Sequence, residues 1–136
     1  MKNTVIKSIA LGLAGLTMAA GPMAASAQTI AERGEARLAQ MLEGREAGTP
    51  VACISAMRDN RLQVIDRVGL VYDAGDTIYV ARVDNPNSLN GNDVPIIERF
   101  GSQLCRYDVR RTVDRYNGFV SGAVFLQDFV PYTKKG

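Results

Sequence analysis

The hydrophobic periodicity of this chain changes character at Pro50, and that change limits the folds open to it. Before Pro50, Ile30, Gly34, Leu38, Met41, Leu42 and Arg45 fall near one stripe at helical spacing, while Glu32, Glu35, Arg37, Gln40 and Glu43 lie largely elsewhere. Thr29 followed three residues later by Glu32 is a capping-box pattern, in which hydroxyl and carboxylate each satisfy an amide left unpaired at a helix start. Residues 30–44 therefore read as one amphipathic helix, weakened by Gly34 and stopped at Gly44 or Gly48 ahead of Thr49-Pro50. Beyond Pro50 come short runs rich in Val, Ile and Tyr, parted by turn residues at the spacing of an antiparallel sheet. The expected strands are 51–55, 62–66, 68–72, 77–83, 94–100, 104–113 and 119–129. Asp73-Ala74-Gly75-Asp76 and Asn117-Gly118 are expected hairpin turns, the second because Asn-Gly readily takes positive φ. Pro131, which has no amide to donate, should end the last strand or sit on an edge.

The residues ahead of this pattern form a separate segment. Lys2 and Lys7 give a positive start, and 9–20 are apolar or small apart from Thr17. Gly21-Pro22 then breaks the run, and Ala25-Ser26-Ala27 offers the small side chains a signal peptidase accommodates. Residues 1–27 read as a cleavable secretory signal, cut between Ala27 and Gln28, with 28–136 as a single small exported domain. The apolar run falls short of the roughly 20 residues that cross a bilayer. A lipid-accepting cysteine just after that run and a twin-arginine pair before it are both missing, which leaves the general export route. No span remains after the leader.

Removing 27 residues from 136 leaves 109, the size of one modest core. The formal charge of +2 is carried by Lys2 and Lys7, so 28–136 holds 14 basic and 14 acidic residues. A neutral domain lacks the basic excess that binds nucleic acid or an anionic membrane. Cys53 and Cys105, an even pair in an oxidising compartment, are expected to close as a disulfide, with free thiols or an intermolecular bridge as the alternatives. A loop of that length is worth roughly 4 kcal/mol at the upper end of the chain-entropy model.

Histidine is absent and lysine is confined to Lys134 and Lys135 beyond the leader. Ser-His-Asp and Cys-His arrangements and imidazole metal sites are thereby excluded, and a Ser-Lys dyad or Schiff-base lysine would have to come from the terminus. The cysteines lack C-x-x-C spacing, so a thiol oxidoreductase is unsupported. Two-carboxylate chemistry survives, through Asp66, Asp76, Asp108, Asp114 or Asp128, but no spacing selects a pair. The loop 84–93, dense in Asp and Asn, is the best cation candidate. Aligning Gly91 with the EF-hand glycine, however, puts Pro86 and Ile97 at ligand positions, so a solvated surface loop is the reading. In the run 106–116, alternation sends Cys105, Tyr107, Val109 and Val113 inward and Arg106, Asp108, Arg110, Thr112 and Asp114 to a solvated face, while Arg111 falls on the inward set and either breaks the pattern at a bulge or is paired.

Cys53-Ile54, Val64-Ile65-Asp66, Leu70-Val71-Tyr72, Ile78-Tyr79-Val80, the segment Phe100-Gly101-Ser102-Gln103-Leu104-Cys105 and the closing Phe129-Val130-Pro131-Tyr132 carry a likeness. In these segments the chain resembles small exported alphaproteobacterial proteins of unknown function, with a signal peptide, a cysteine pair and a hairpin-rich domain. The resemblance implies an exported domain and supplies no activity.

The expected fold is α+β: an N-terminal amphipathic helix packed on an antiparallel sheet of five to seven strands, with a small curled barrel as its closed variant, tied by Cys53–Cys105. The expected function is a non-enzymatic binding or accessory module of the cell envelope, periplasmic or secreted, acting through a sheet edge or the 84–93 loop. No catalytic residue, metal ligand or cofactor is assigned. The partner is expected to be an envelope protein, and the oligomeric state is left open. A carboxylate-dependent hydrolase of an envelope polymer and a structural or stress-related protein without a discrete ligand are the alternatives.

Overall fold

A computed structural model describes residues 26–98, 101–108 and 110–136. Most of the expected leader, residues 1–25, lies outside these, as do Arg99 and Phe100 at the end of one expected strand and Val109 within another. Helix α1 spans Ile30–Met41. Thr29 Oγ1 accepts from the Glu32 amide at 3.2 Å, and the Glu32 carboxylate accepts from the Thr29 amide at 2.6 Å. The helix stops short of residue 44, because the Leu42 amide already closes its last turn and Gly44, at φ 72°, reverses the chain.

Among the described residues ten strands follow: β1 Arg45–Ala47, β2 Cys53–Ser55, β3 Leu62–Ile65, β4 Gly69–Asp73, β5 Thr77–Val83, β6 Asp93–Ile97, β7 Gln103–Cys105, β8 Arg110–Asp114, β9 Val120–Val124 and β10 Leu126–Lys134. All pair antiparallel, in three sheets: β1-β10-β5-β4-β3 (sheet A), β2-β7 (sheet B) and β6-β8-β9 (sheet C). The expected sheet of five to seven strands is present as the five strands of sheet A, the other strands fall into two smaller sheets, and the closed barrel variant is corrected. Sheet A stays open, with β1 and β3 at its edges.

The cause lies in two segments that read as single strands. The run 104–113 breaks at a turn, where the Asp108 carboxylate accepts the Cys105 amide at 2.8 Å and the Asp108 amide bonds the Cys105 carbonyl at 3.1 Å. The chain thereby passes from β7 in sheet B to β8 in sheet C. The run 119–129 breaks at Phe125, whose carbonyl is taken by the Asp84 amide at 3.0 Å, and a bulge between Leu126 and Phe129 re-aims the strand into sheet A.

Sheet A separates two apolar layers by the ordinary alternation of strand side chains. On one face Val71, Ile78, Val80 and Ile65 pack with Leu38 of α1. On the other, Leu70, Tyr72, Ala81, Val83 and Phe129 meet Ile54, Leu104 and Val124 from sheets B and C. Gly34 has a positive reason to be in the helix, since a Cβ there would stand 2.3 Å from the Asp66 carbonyl oxygen. Its absence lets α1 settle on the β3–β4 turn.

In sheet B, Cys53 and Cys105 stand directly opposite each other and are joined, Sγ–Sγ 2.06 Å. Ile54 and Leu104, the next pair along, are buried in the core. Pro131 lies inside β10 rather than at its end, which corrects the expectation. Its carbonyl accepts the Gly48 amide at 2.7 Å, so its backbone polar groups face away from β5, just past the end of the short strand β1. The missing amide removes nothing from the β5–β10 ladder.

Candidate functional site

An open groove of about 760 Å³ is walled by β3 on one side and the start of β6 on the other. Both are edge strands: β3 ends sheet A and β6 ends sheet C. Leu62, Gln63, Val64 and Asp66 form one wall, Asn90 to Pro95 the other, and Ile30 and Arg37 of α1 with Asp114 and Arg115 complete the lining. Arg37 donates to the Gln63 side chain at 3.2 Å, and the Arg115 amide holds the Asn92 carbonyl at 3.0 Å. The groove thus has two strand edges and a mixed set of charges.

The loop 84–93 is more firmly held than a solvated loop. Leu89 is fully buried in the core, and Asp93, already in β6, is 3% exposed. The Arg67 amide bonds the Leu89 carbonyl at 3.1 Å, and its guanidinium bonds the Asn87 carbonyl at 2.6 Å. Arg67 itself takes φ 59°, the left-handed value that the third position of the Ile65–Val68 turn imposes and that glycine would adopt more readily. Gly91 lets the loop close on Asp66: a Cβ there would lie 2.5 Å from Oδ1 of that carboxylate. Asp66 Oδ1 is buried beneath the loop with no hydrogen-bond partner, the kind of acceptor that an ordered water or a donor on a ligand satisfies.

The five aspartates are dispersed. Asp66 and Asp114 line the groove, but Asp114 Oδ1 is spent on the amides of Tyr116 and Asn117 at 2.8 and 3.1 Å, shaping the hairpin turn. Asp108 caps its turn, and Asp128 pairs with Arg106 at 2.7 Å. Asp76 sits by the β4–β5 turn, where its carbonyl accepts from Arg45 at 2.8 Å. Among the described residues no group of three or more carboxylates and cysteines is placed to hold a metal ion.

The charged run 106–116 departs from its expected alternation. Tyr107 is 76% exposed rather than inward, and Thr112 is fully buried rather than solvated, accepting from Ser121 Oγ at 3.0 Å. The turn at 106–108 shifts the phase of the strand that follows. Arg106 is part-buried over the Tyr107 ring, 4.3 Å from its centroid, and also bonds the Tyr107 hydroxyl; Arg111 pairs with Glu98.

On the helix face of sheet A, Arg82 grips Glu35 with two bonds of 2.6 and 3.1 Å. Those hydrogen bonds hold the Glu35 carboxyl below the usual carboxylate range, against the opposing pull of partial burial, and raise Arg82 in turn. This pair anchors the helix and takes no part in the groove.

The groove-lining strand residues Leu62, Gln63, Val64 and Pro95 carry no chemical motif, and sequence reasoning passed over them. One signal was present: a proline inside an apolar run, as at Pro95, marks an edge strand. No helix among the described residues is long and apolar enough to cross a membrane. Comparison with protein-family models, with curated proteins and with solved structures finds no match to this chain.

Proposed function

We propose that this domain is an exported, non-enzymatic binding module that receives an extended segment of a cell-envelope protein in the groove between β3 and β6. One observation carries the reading: two open sheet edges from different sheets line a single groove. An incoming strand finds unpaired backbone groups on β3, about 13 Å of edge at strand spacing, and flanking side chains to discriminate among sequences. Pro95 removes a donor from the β6 wall, so β3 is the template strand. Export is supported by the leader-like residues 1–27 and by the closed cysteine pair, which belongs in an oxidising compartment.

The test places a photo-crosslinking residue singly at Gln63, at Pro95 and, as a control on the far end of α1, at Glu43. The expected result is one common adduct from Gln63 and Pro95 and none from Glu43, with the crosslinked segment binding as a synthetic peptide. Different adducts from the two groove positions, or the same one from Glu43, would overturn it. No adduct at all would favour a structural protein without a ligand. Intact mass of the envelope-derived protein checks the address: it should begin at Gln28 and gain two alkylatable thiols only after reduction.

A further inference from the structure

Asparagine followed by glycine occurs twice in the chain, at Asn90-Gly91 in the loop before β6 and at Asn117-Gly118 in the turn between β8 and β9. Such a pair can react with itself, because glycine has no side chain to keep its amide nitrogen away from the asparagine side-chain carbon. Both asparagines are exposed, and both fold their side chains forward along the backbone. Asn90 Oδ1 accepts the Asn92 amide at 2.9 Å, and Asn117 Oδ1 accepts the Phe119 amide at 2.9 Å. Each bond polarises the side-chain carbonyl and lays it across the intervening glycine.

The two glycine amides differ. Gly118 donates to the Asp114 carbonyl at 2.9 Å, so its nitrogen is tied into the hairpin. Among the described residues none accepts from the Gly91 amide, which stands in the exposed stretch 90–92. We propose that Asn90 is a modification site, an asparagine that deamidates without an enzyme and does so ahead of Asn117. The Gly91 amide gives its proton to water and its nitrogen bonds Asn90 Cγ. The Cγ–Nδ2 bond breaks, and the side-chain nitrogen leaves as ammonia. Water then opens the cyclic imide at either carbonyl, giving aspartate or isoaspartate at position 90.

The site is placed so that the change is felt in the groove. Asn90 lines it, and the Asp93 amide bonds the Asn90 carbonyl at 3.0 Å in the turn that starts β6. In the isoaspartyl product the main chain detours through the side chain and is one carbon longer. Gly91 has no slack to absorb that, since a Cβ there would stand 2.5 Å from Asp66 Oδ1. The new carboxylate also joins Asp66, Asp93 and Asp114 in a lining whose cations are Arg37 and Arg115. Crowding and like charge both push the loop away from Asp66. An aged groove therefore holds an extended segment less well, a consequence that rests on the function proposed above; the chemistry at Asn90 does not.

The oxidised protein is incubated in mildly alkaline buffer and followed by peptide mapping, each conversion adding about 1 Da to its peptide. Asn90 should convert about fivefold faster than Asn117, the factor by which one hydrogen bond restrains a glycine amide. In denaturant, where that hydrogen bond is gone, the two sites should convert alike. Asn90→Gln should abolish the fast conversion and leave the rate at Asn117 unchanged. Hydrogen exchange in β6 should rise more in the isolated isoaspartyl form than in Asn90→Asp, which carries the charge without the longer backbone. Equal rates in the folded protein, Asn117 ahead of Asn90, or a lead for Asn90 that persists in denaturant would overturn the proposal. Rapid conversion at Asn90 with undiminished crosslinking from Pro95 would support the site and count against the groove as the place where the segment binds.

Discussion

Sheets A and C use strands of similar apolar content, yet they are spent differently. In sheet A both faces are covered, one by α1 and the other by sheets B and C, and Val71, Ala81 and Phe129 are fully buried. In sheet C only the face toward the core is covered: Thr112 and Val124 are buried, while Ile96 and Val120 stand out in solvent. The contrast separates two jobs within one small domain. Residues shielded on both sides hold the molecule together, and residues on the outer face of the half-covered sheet add little to that core.

The sharpest way to break this contrast uses two phenylalanines four positions apart. Phe129→Ala should cost about 4 kcal/mol in a denaturant melt, since it empties a buried site, whereas Phe125→Ala should fall within about 0.5 kcal/mol. Comparable losses would mean that sheet C is as structural as sheet A. Reduction of Cys53–Cys105 should cost about 3 kcal/mol. Because sheet B joins the two larger sheets along the chain, hydrogen exchange in the reduced protein should rise in β8 before it rises in β4 and β5.

Gly34→Ala tests the packing beneath sheet A. Helix propensity alone predicts a gain of about 1 kcal/mol, but the collision with the Asp66 carbonyl predicts a loss of about 2, and the sign of the change in melting temperature decides. Thr29→Ala should cost about 1 kcal/mol by removing the cap. The smallest effect is the Glu35–Arg82 pair. Its depressed carboxyl means that the folded state holds the Glu35 proton more weakly than the unfolded chain does. Its contribution is therefore present at neutral pH and lost as the pH falls below the ordinary carboxylate range. Both side chains are half exposed, so the worth is under about 1 kcal/mol, and Glu35→Gln should remove that part of the acid dependence.

What could be read in advance was local or arithmetic. Thr29 and Glu32 lie within one turn of each other, strand 77–83 alternates without interruption, and two cysteines allow one intramolecular pairing. What escaped depends on distant partners. Nothing in Arg106-Tyr107-Asp108 breaks the β pattern as proline or glycine would, yet the chain changes sheets there. Leu89 looked like an isolated apolar residue in a polar loop and proved to be a core anchor, because the Arg67 turn draws the loop inward. The groove is a meeting of two edges, β3 and β6, whose adjacency is a property of topology and has no counterpart in residue spacing.

The place of β10 in the chain has a kinetic consequence. It comes after the other described strands in chain order and is an inner strand of sheet A, with Lys134 opposite Arg45 and Phe129 opposite Ala81. Until those final residues exist, β1 has no partner and β5 has only one. Such long-range pairings hold back completion of sheet A until β10 is made. A polypeptide whose main sheet waits on β10 keeps β1 and β5 short of partners until that strand has been made.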